Sequence, residues 1–187
     1  MQHKVFFTVA ILLAQWATAA PYPAPQTAAG TTQIAFTPGD AADKLIVAAI
    51  QQARQQILVQ AYSFTHLGIA DALIKAHQRG ISVTIIADQR QDEHTPTSLI
   101  RTLARAGISI LMDTEHSSAH NKVMIIDADT AHPAVITGSY NFTHAAQYMN
   151  AENVLILRND PTLTRAYRDN CNTTIRTHPR YDQTHTT

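Results

Sequence analysis

The spacing of apolar residues along this chain switches between two patterns, and each switch marks a change of secondary structure. Short runs rich in Ile, Val and Leu predict buried strands. Stretches with apolar residues three or four positions apart predict helices that lie against them. The predicted strands cover residues 33–36, 57–64, 81–87, 108–112, 123–126, 134–137 and 153–157. The predicted helices cover residues 41–55, 67–78, 96–106 and 142–148, and a last helix begins at Pro161.

This alternation of strands and helices predicts an α/β fold, with a mixed β-sheet flanked by helices on both faces. Gly80 and Gly107 follow two of the helical patterns and are typical C-terminal caps. No internal repeat is visible, and about 150 residues are a suitable size for one domain with one core. We therefore expect a single domain over residues 33–187.

The start of the chain has the pattern of an export signal. Lys4 supplies a positive end, residues 5–14 form an apolar core too short to span a bilayer comfortably, and residues 17–19 have the small-x-small pattern of a cleavage site. We assign residues 1–19 to the signal and residues 20–32, rich in Pro, Ala, Gly and Thr, to a flexible leader. The expected location is the periplasm or the medium of a bacterium. An uncleaved membrane anchor is the alternative.

The composition of the chain narrows the range of functions and sites that it can have. Removal of Lys4 with the signal leaves 13 basic against 14 acidic side chains, so the overall charge does not favour non-specific binding to nucleic acid. The single cysteine, Cys171, excludes an intramolecular disulfide and is expected to be a buried, inert thiol. None of the ten histidines lies in a common metal-binding motif, so no metal site is predicted.

The most informative motif is the segment HNKVMIID at residues 120–127. On a strand, His120 and Lys122 point to the same face because they are two positions apart. An imidazole can attack phosphorus or transfer protons, and a lysine beside it neutralises the charge that develops on the phosphate oxygens. Asp127 has the opposite parity, so we expect it to point away from this pair and to be a structural hydrogen-bond acceptor.

A second motif, GSYN at residues 138–141, follows a short apolar strand. Gly138 allows close approach of the backbone. Ser139 and Asn141 are again two positions apart, and a hydroxyl and an amide are suitable donors to the non-bridging oxygens of a phosphate. The two motifs together predict a site for a phosphodiester.

These motifs resemble the H-x-K-x4-D signature of the phospholipase D superfamily, and more of the chain agrees. The segments QAYSFT at residues 60–65, GSYNFT at 138–143 and NAEN at 150–153 occur in the order found in the short bacterial Nuc-type endonucleases, which carry one signature per chain. The resemblance covers approximately residues 33–167. One departure is a longer connection at residues 128–133, an enlarged hairpin turn that we expect to affect the rim of the site.

The resemblance implies roles for the motif residues. His120 would attack phosphorus to form a covalent phosphohistidine, and Glu152 would hold the other nitrogen of the imidazole. Lys122, Ser139 and Asn141 would bind the phosphate, with no metal or cofactor. A second His120 would protonate the leaving oxygen. Because the chain carries the signature once, we expect a homodimer with the active site shared at its two-fold axis.

The predicted function is therefore an exported, non-specific endonuclease acting on DNA, with RNA left open. Two alternatives remain. One is a phospholipase D-type lipid phosphodiesterase, although the mature chain has no basic amphipathic helix for stable membrane association. The other is a non-catalytic nucleic-acid-binding module, which the complete set of polar residues disfavours.

Overall fold

The computed structural model describes residues 23–177 and residue 181. The predicted export signal lies outside these residues. The strands are β1 (Thr31–Thr37), β2 (Gln56–Ala61), β3 (Ser82–Asp88), β4 (Ser109–Asp113), β5 (Lys122–Ile126), β6 (Ala134–Gly138) and β7 (Glu152–Arg158). The helices are α1 (Ala42–Gln52), α2 (Leu67–Gln78), α3 (Gln89–Glu93), α4 (Ile100–Arg105), α5 (His144–Tyr148) and α6 (Pro161–Thr177).

The seven strands form one sheet in the order β1-β7-β6-β5-β2-β3-β4. Strands β2, β3 and β4 are parallel to one another, and the other neighbouring pairs are antiparallel. One face packs against α1, α2 and α4 through residues such as Ile46, Leu73 and Leu103. The other face packs against α6 through Cys171 and Tyr167. The predicted mixed sheet with helices on both faces is confirmed.

Several boundaries differ from the prediction for local reasons. Strand β1 starts at Thr31, inside the predicted leader, because it pairs with β7 as far as Arg158. Helix α3 was not predicted. It begins after Asp88, whose side chain accepts a 2.7 Å hydrogen bond from the backbone N–H of Gln91 and so caps a short helix. Helix α1 ends at Gln52, before the predicted residue 55.

The enlarged connection at residues 128–133 joins β5 to β6, and its place in the fold corrects one expectation. Strand β5 runs from Lys122 to Ile126, so this turn and the His120 end lie at opposite ends of the strand. The backbone N–H of Asn159 donates a 2.8 Å hydrogen bond to the carbonyl oxygen of Pro133, which ties the turn to the end of β7. The prediction that this turn affects the rim of the site was therefore wrong.

Candidate active site

Three strand ends meet at one end of the sheet and bring the two motifs together. Strand β5 begins at Lys122, β6 ends at Gly138 and β7 begins at Glu152. The pairing of Met124 with Ile136, continued along the same register, brings Lys122 to the level of Gly138. Gly138 pairs in turn with Val154 on β7. Residues far apart in sequence thus lie side by side here.

His120 and Lys122 share one aromatic neighbour, Tyr62, which follows β2. The His120 ring lies with its centroid 4.4 Å from the Tyr62 ring centroid, and the Lys122 Nζ lies 4.8 Å from the same centroid. The backbone N–H of Tyr62 donates a 3.0 Å hydrogen bond to the carbonyl oxygen of Asn121, which holds the two segments together. The imidazole and the ammonium group therefore lie on the same side, although β5 starts only at Lys122.

Lys122 is a partly desolvated cation. Its side chain is 7% exposed, and Nζ donates a 2.7 Å hydrogen bond to the backbone carbonyl oxygen of His120. Burial lowers the pKa of Lys122 to about 8, and the negative charge of Glu152 opposes that shift. An ammonium group in such surroundings interacts strongly with an anion, because less water competes for its charge.

Gly138 permits a close contact between β6 and β7. Its φ is +150°, and a Cβ at this position would lie 2.2 Å from the carbonyl oxygen of Asn153. The next residue, Ser139, accepts hydrogen bonds at its Oγ from the backbone N–H and the Nδ2 of Asn153, at 3.1 and 3.3 Å. Because Oγ accepts both, the hydroxyl hydrogen of Ser139 can be donated to a ligand.

Asn141 carries an unsatisfied acceptor. Within the described residues, its Oδ1 is the single buried side-chain nitrogen or oxygen atom without a hydrogen-bond partner. Such an atom costs about 1–3 kcal/mol in a folded protein. Unsatisfied polar groups in native structures call for an explanation, and they often occur in functional sites.

Glu152 lies at the site but does not make the predicted contact within one chain. Its Oε1 accepts a 3.1 Å hydrogen bond from Nδ2 of Asn150. The described residues show no hydrogen bond between Glu152 and His120. The Glu152 charge instead raises the pKa of Lys122 against the effect of burial. The role of Glu152 as the partner of the His120 imidazole stays a prediction.

Asp127 follows the end of β5 that is far from Lys122, and it accepts hydrogen bonds from the backbone. Its carboxylate is buried and accepts hydrogen bonds of 2.8, 2.8 and 3.0 Å from the N–H groups of Arg54, Gln55 and Gln56. These residues connect α1 to β2, so Asp127 holds the start of the central strand in place. Its distance along β5 from Lys122 separates it from the polar cluster.

Tyr62 and Asn153 are the two neighbours that the sequence did not indicate. Both lie in segments that match the family resemblance, but their contacts with His120 and Ser139 join different strands. Cys171, in contrast, is as expected: it is fully buried, and burial raises the pKa of its thiol to about 12. Among the described residues, no three His, Cys, Asp or Glu side chains are grouped as metal ligands.

Comparison with known proteins agrees with this fold. The family model described as "Cardiolipin synthase, PLD-like domain" matches residues 46–174. A phospholipase D of Rickettsia typhi is 38% identical over 149 residues, which are 80% of this chain and 70% of that protein. A phospholipase D of Rickettsia felis is 42% identical over 135 residues, 72% of this chain and 64% of that protein. The chain thus spans about two thirds of these relatives.

Solved structures also show similarity to the phospholipase D family. Nuc from Salmonella typhimurium, described as a phospholipase D family member, superposes with a TM-score of 0.77 at 31% identity over 83% of this chain and 100% of Nuc. NucT from Helicobacter pylori shares the fold, with a TM-score of 0.71 at 23% identity over 81% of this chain and 99% of NucT. The chain therefore belongs to the phospholipase D superfamily. It is a phosphodiesterase of this superfamily, as the resemblance of its sequence motifs implied.

Proposed function

We propose that this protein is an exported endonuclease that cleaves phosphodiester bonds of DNA or RNA through a phosphohistidine. The observation that carries the proposal is the correspondence with Nuc, because the superposed part of this chain covers the whole of Nuc at 31% identity. The chain covers only 39% of the phosphatidylserine synthase of Haemophilus influenzae, which has the same fold.

The polar cluster supports the chemistry. The imidazole of His120 attacks phosphorus, and the bond to the leaving oxygen breaks as the phosphohistidine bond forms. The Lys122 ammonium, the Ser139 hydroxyl and the Asn141 amide stabilise the charge on the non-bridging oxygens. An acid protonates the leaving oxygen and then, as a base, activates the water that releases His120. These groups perform the electrostatic role that a metal ion has in other nucleases.

The acid is supplied by His120 of a second copy in this proposal, and the surface near the site supports such a dimer. Large apolar side chains are exposed on the elements that surround the site, which is typical of protein interfaces. Leu67 and Met149 are each 74% exposed, and Tyr148 and Phe36 are each 56% exposed. Phe36 is next to Thr37, which pairs with Glu152 in the site. A two-fold interface here would bring the two His120 side chains together.

A lipid phosphodiesterase is the second candidate, and the relatives named phospholipase D favour it. The same exposed apolar side chains could contact a lipid surface instead of a second copy. The described residues include no helix long and apolar enough to cross a membrane.

The test compares three substrates at equal enzyme concentration, with and without a chelator: supercoiled plasmid, single-stranded RNA, and vesicles of phosphatidylcholine with phosphatidylglycerol. We expect cleavage of nucleic acid that persists in EDTA, and no release of headgroup from the vesicles. His120→Ala is the control for contaminating nuclease. Headgroup release without nucleic acid cleavage would replace the proposal with the lipid one, and activity restored only by magnesium would contradict the mechanism.

A further inference from the structure

A cavity of about 350 Å³ lies beside His120, on the face of the sheet that α6 covers. Its walls include Gln60 from β2, Asn121 before β5 and Asn170 from α6, together with His116, Ser118 and His120 from the loop that precedes β5. Of the proposed site residues, His120 is the one that lines it. The cavity therefore adjoins the proposed nucleophile, and Lys122 is not among its lining residues. Its volume lies in the range of small-molecule sites, about 300–1,000 Å³.

The walls are polar, and Asp113 gives them one carboxylate. Three carboxamides, from Gln60, Asn121 and Asn170, and two hydroxyls, from Ser118 and Thr174, offer both donors and acceptors. Gln60 is 6% exposed on a strand whose other side chains are almost all apolar. A buried polar side chain is unfavourable without hydrogen bonds, so an amide at a cavity wall suits a ligand that can pair with it. Ala61, Ile86 and Ala119 add apolar surface.

His116 is oriented by a buried carboxylate. Asp113 accepts a hydrogen bond from the His116 Nδ1 at 2.9 Å and also accepts from the backbone N–H groups of Glu115 and His116. Because a carboxylate can only accept, Nδ1 of His116 carries the proton that it donates to Asp113. Asp113 also lines the cavity, and its carboxylate accepts all three of these hydrogen bonds from the loop.

We propose that this cavity binds the nucleoside next to the scissile phosphate, with Asn170, Asn121 and Gln60 contacting the polar edge of the base. A nucleobase has flat apolar faces and a rim of neutral donors and acceptors, which matches the carboxamides, the hydroxyls and the apolar surface of these walls. The inference rests on the proposed nuclease function and adds a subsite to it. In this proposal His116 also contacts the nucleoside.

The experiment compares two esters that release the same chromophore: thymidine 5′-(p-nitrophenyl phosphate), which carries a nucleoside, and bis(p-nitrophenyl) phosphate, which does not. The variants are Asn170→Ala and His116→Ala, whose side chains are exposed enough for the fold to tolerate the change. Asn172→Ala on the same helix and His132→Ala in the turn after β5 are the matched controls. Thermal melting checks that all four variants fold.

We expect each cavity variant to raise the KM for the thymidine ester about three- to tenfold, the effect of losing one neutral hydrogen bond. The rate with bis(p-nitrophenyl) phosphate should stay within about twofold of wild type, and the controls should change neither value. An equal loss on both esters, or no loss on either, would overturn the subsite. Failure of wild type to cut nucleic acid would instead contradict the proposed function itself.

Discussion

The Nζ of Lys122 donates a 2.7 Å hydrogen bond to the backbone carbonyl oxygen of His120. This bond ties the position of the proposed nucleophile to the position of the cation that would neutralise its target. One ammonium hydrogen is used for the backbone, and the others can be donated to phosphate oxygens. The protonation state of Lys122 therefore controls the positive charge of the site.

The first prediction concerns alkaline pH. Lys122 carries its proton below its pKa of about 8 and loses it above that value, so kcat/KM should fall as pH rises through this region. Glu152 raises this pKa, so Glu152→Gln should move the alkaline limb to lower pH. Initial rates with bis(p-nitrophenyl) phosphate from pH 5 to pH 10 measure both effects.

Lys122→Arg is the control for this prediction. A guanidinium group stays charged across the whole range, so the variant should be less active but should lack the alkaline limb near pH 8. If Lys122→Arg kept the wild-type limb, another group would be responsible for it.

The second prediction separates function from stability at Asn141. Its Oδ1 is buried and has no partner among the described residues, so Asn141→Ala removes an unfavourable group from the folded protein. We expect kcat/KM to fall at least about tenfold, the effect of losing a donor to the phosphate, while the free energy of unfolding stays the same or rises by about 1 kcal/mol. Urea unfolding measures the free energy of unfolding, and the same ester assay measures kcat/KM. A destabilised variant would show that Asn141 is a structural residue.

The third prediction compares two glycines. At Gly138 a methyl group would lie 2.2 Å from the Asn153 carbonyl oxygen, whereas at Gly80 it would meet nothing within 4 Å. Both residues have positive φ, so Gly80→Ala measures the backbone strain alone, about 1 kcal/mol. Gly138→Ala should cost clearly more and should also lower activity, because Ser139 moves with β6. Similar melting temperatures for the two variants would contradict the close contact.

The strands were predictable from the sequence because runs such as residues 123–126 are apolar enough to be buried on both sides. The grouping of His120, Lys122, Ser139 and Asn141 as one site was predicted from strand parity and from the family resemblance, and it stays a prediction. The contacts of Tyr62 and Asn153 were not predictable, because they depend on which strands are neighbours. Helix α3 was missed because its five residues have no apolar periodicity and depend on the Asp88 cap.

The fourth prediction concerns Asp127. Asp127→Asn keeps one side-chain oxygen and the preference for positive φ but removes the charge that strengthens hydrogen bonds to three backbone N–H groups. We expect the free energy of unfolding to fall by about 1–3 kcal/mol, with activity per folded molecule retained. Thermal melting and active-site titration measure the two quantities. A stable but inactive variant would show that Asp127 takes part in the chemistry.

The last prediction tests whether two chains share one site. His120→Ala should abolish turnover, by at least about a hundredfold, in a protein that melts like wild type. When wild-type and His120→Ala chains are refolded together in equal amounts, half of the wild-type chains enter mixed dimers that contain a single His120. If each site needs both imidazoles, activity per wild-type chain should fall to about half, and further as the variant is added in excess. His132→Ala chains, which keep His120, are mixed in the same way as a control for refolding and should leave the activity per total chain unchanged. Activity that follows only the amount of wild-type chain, or an active monomer in sedimentation at assay concentration, would contradict the shared site.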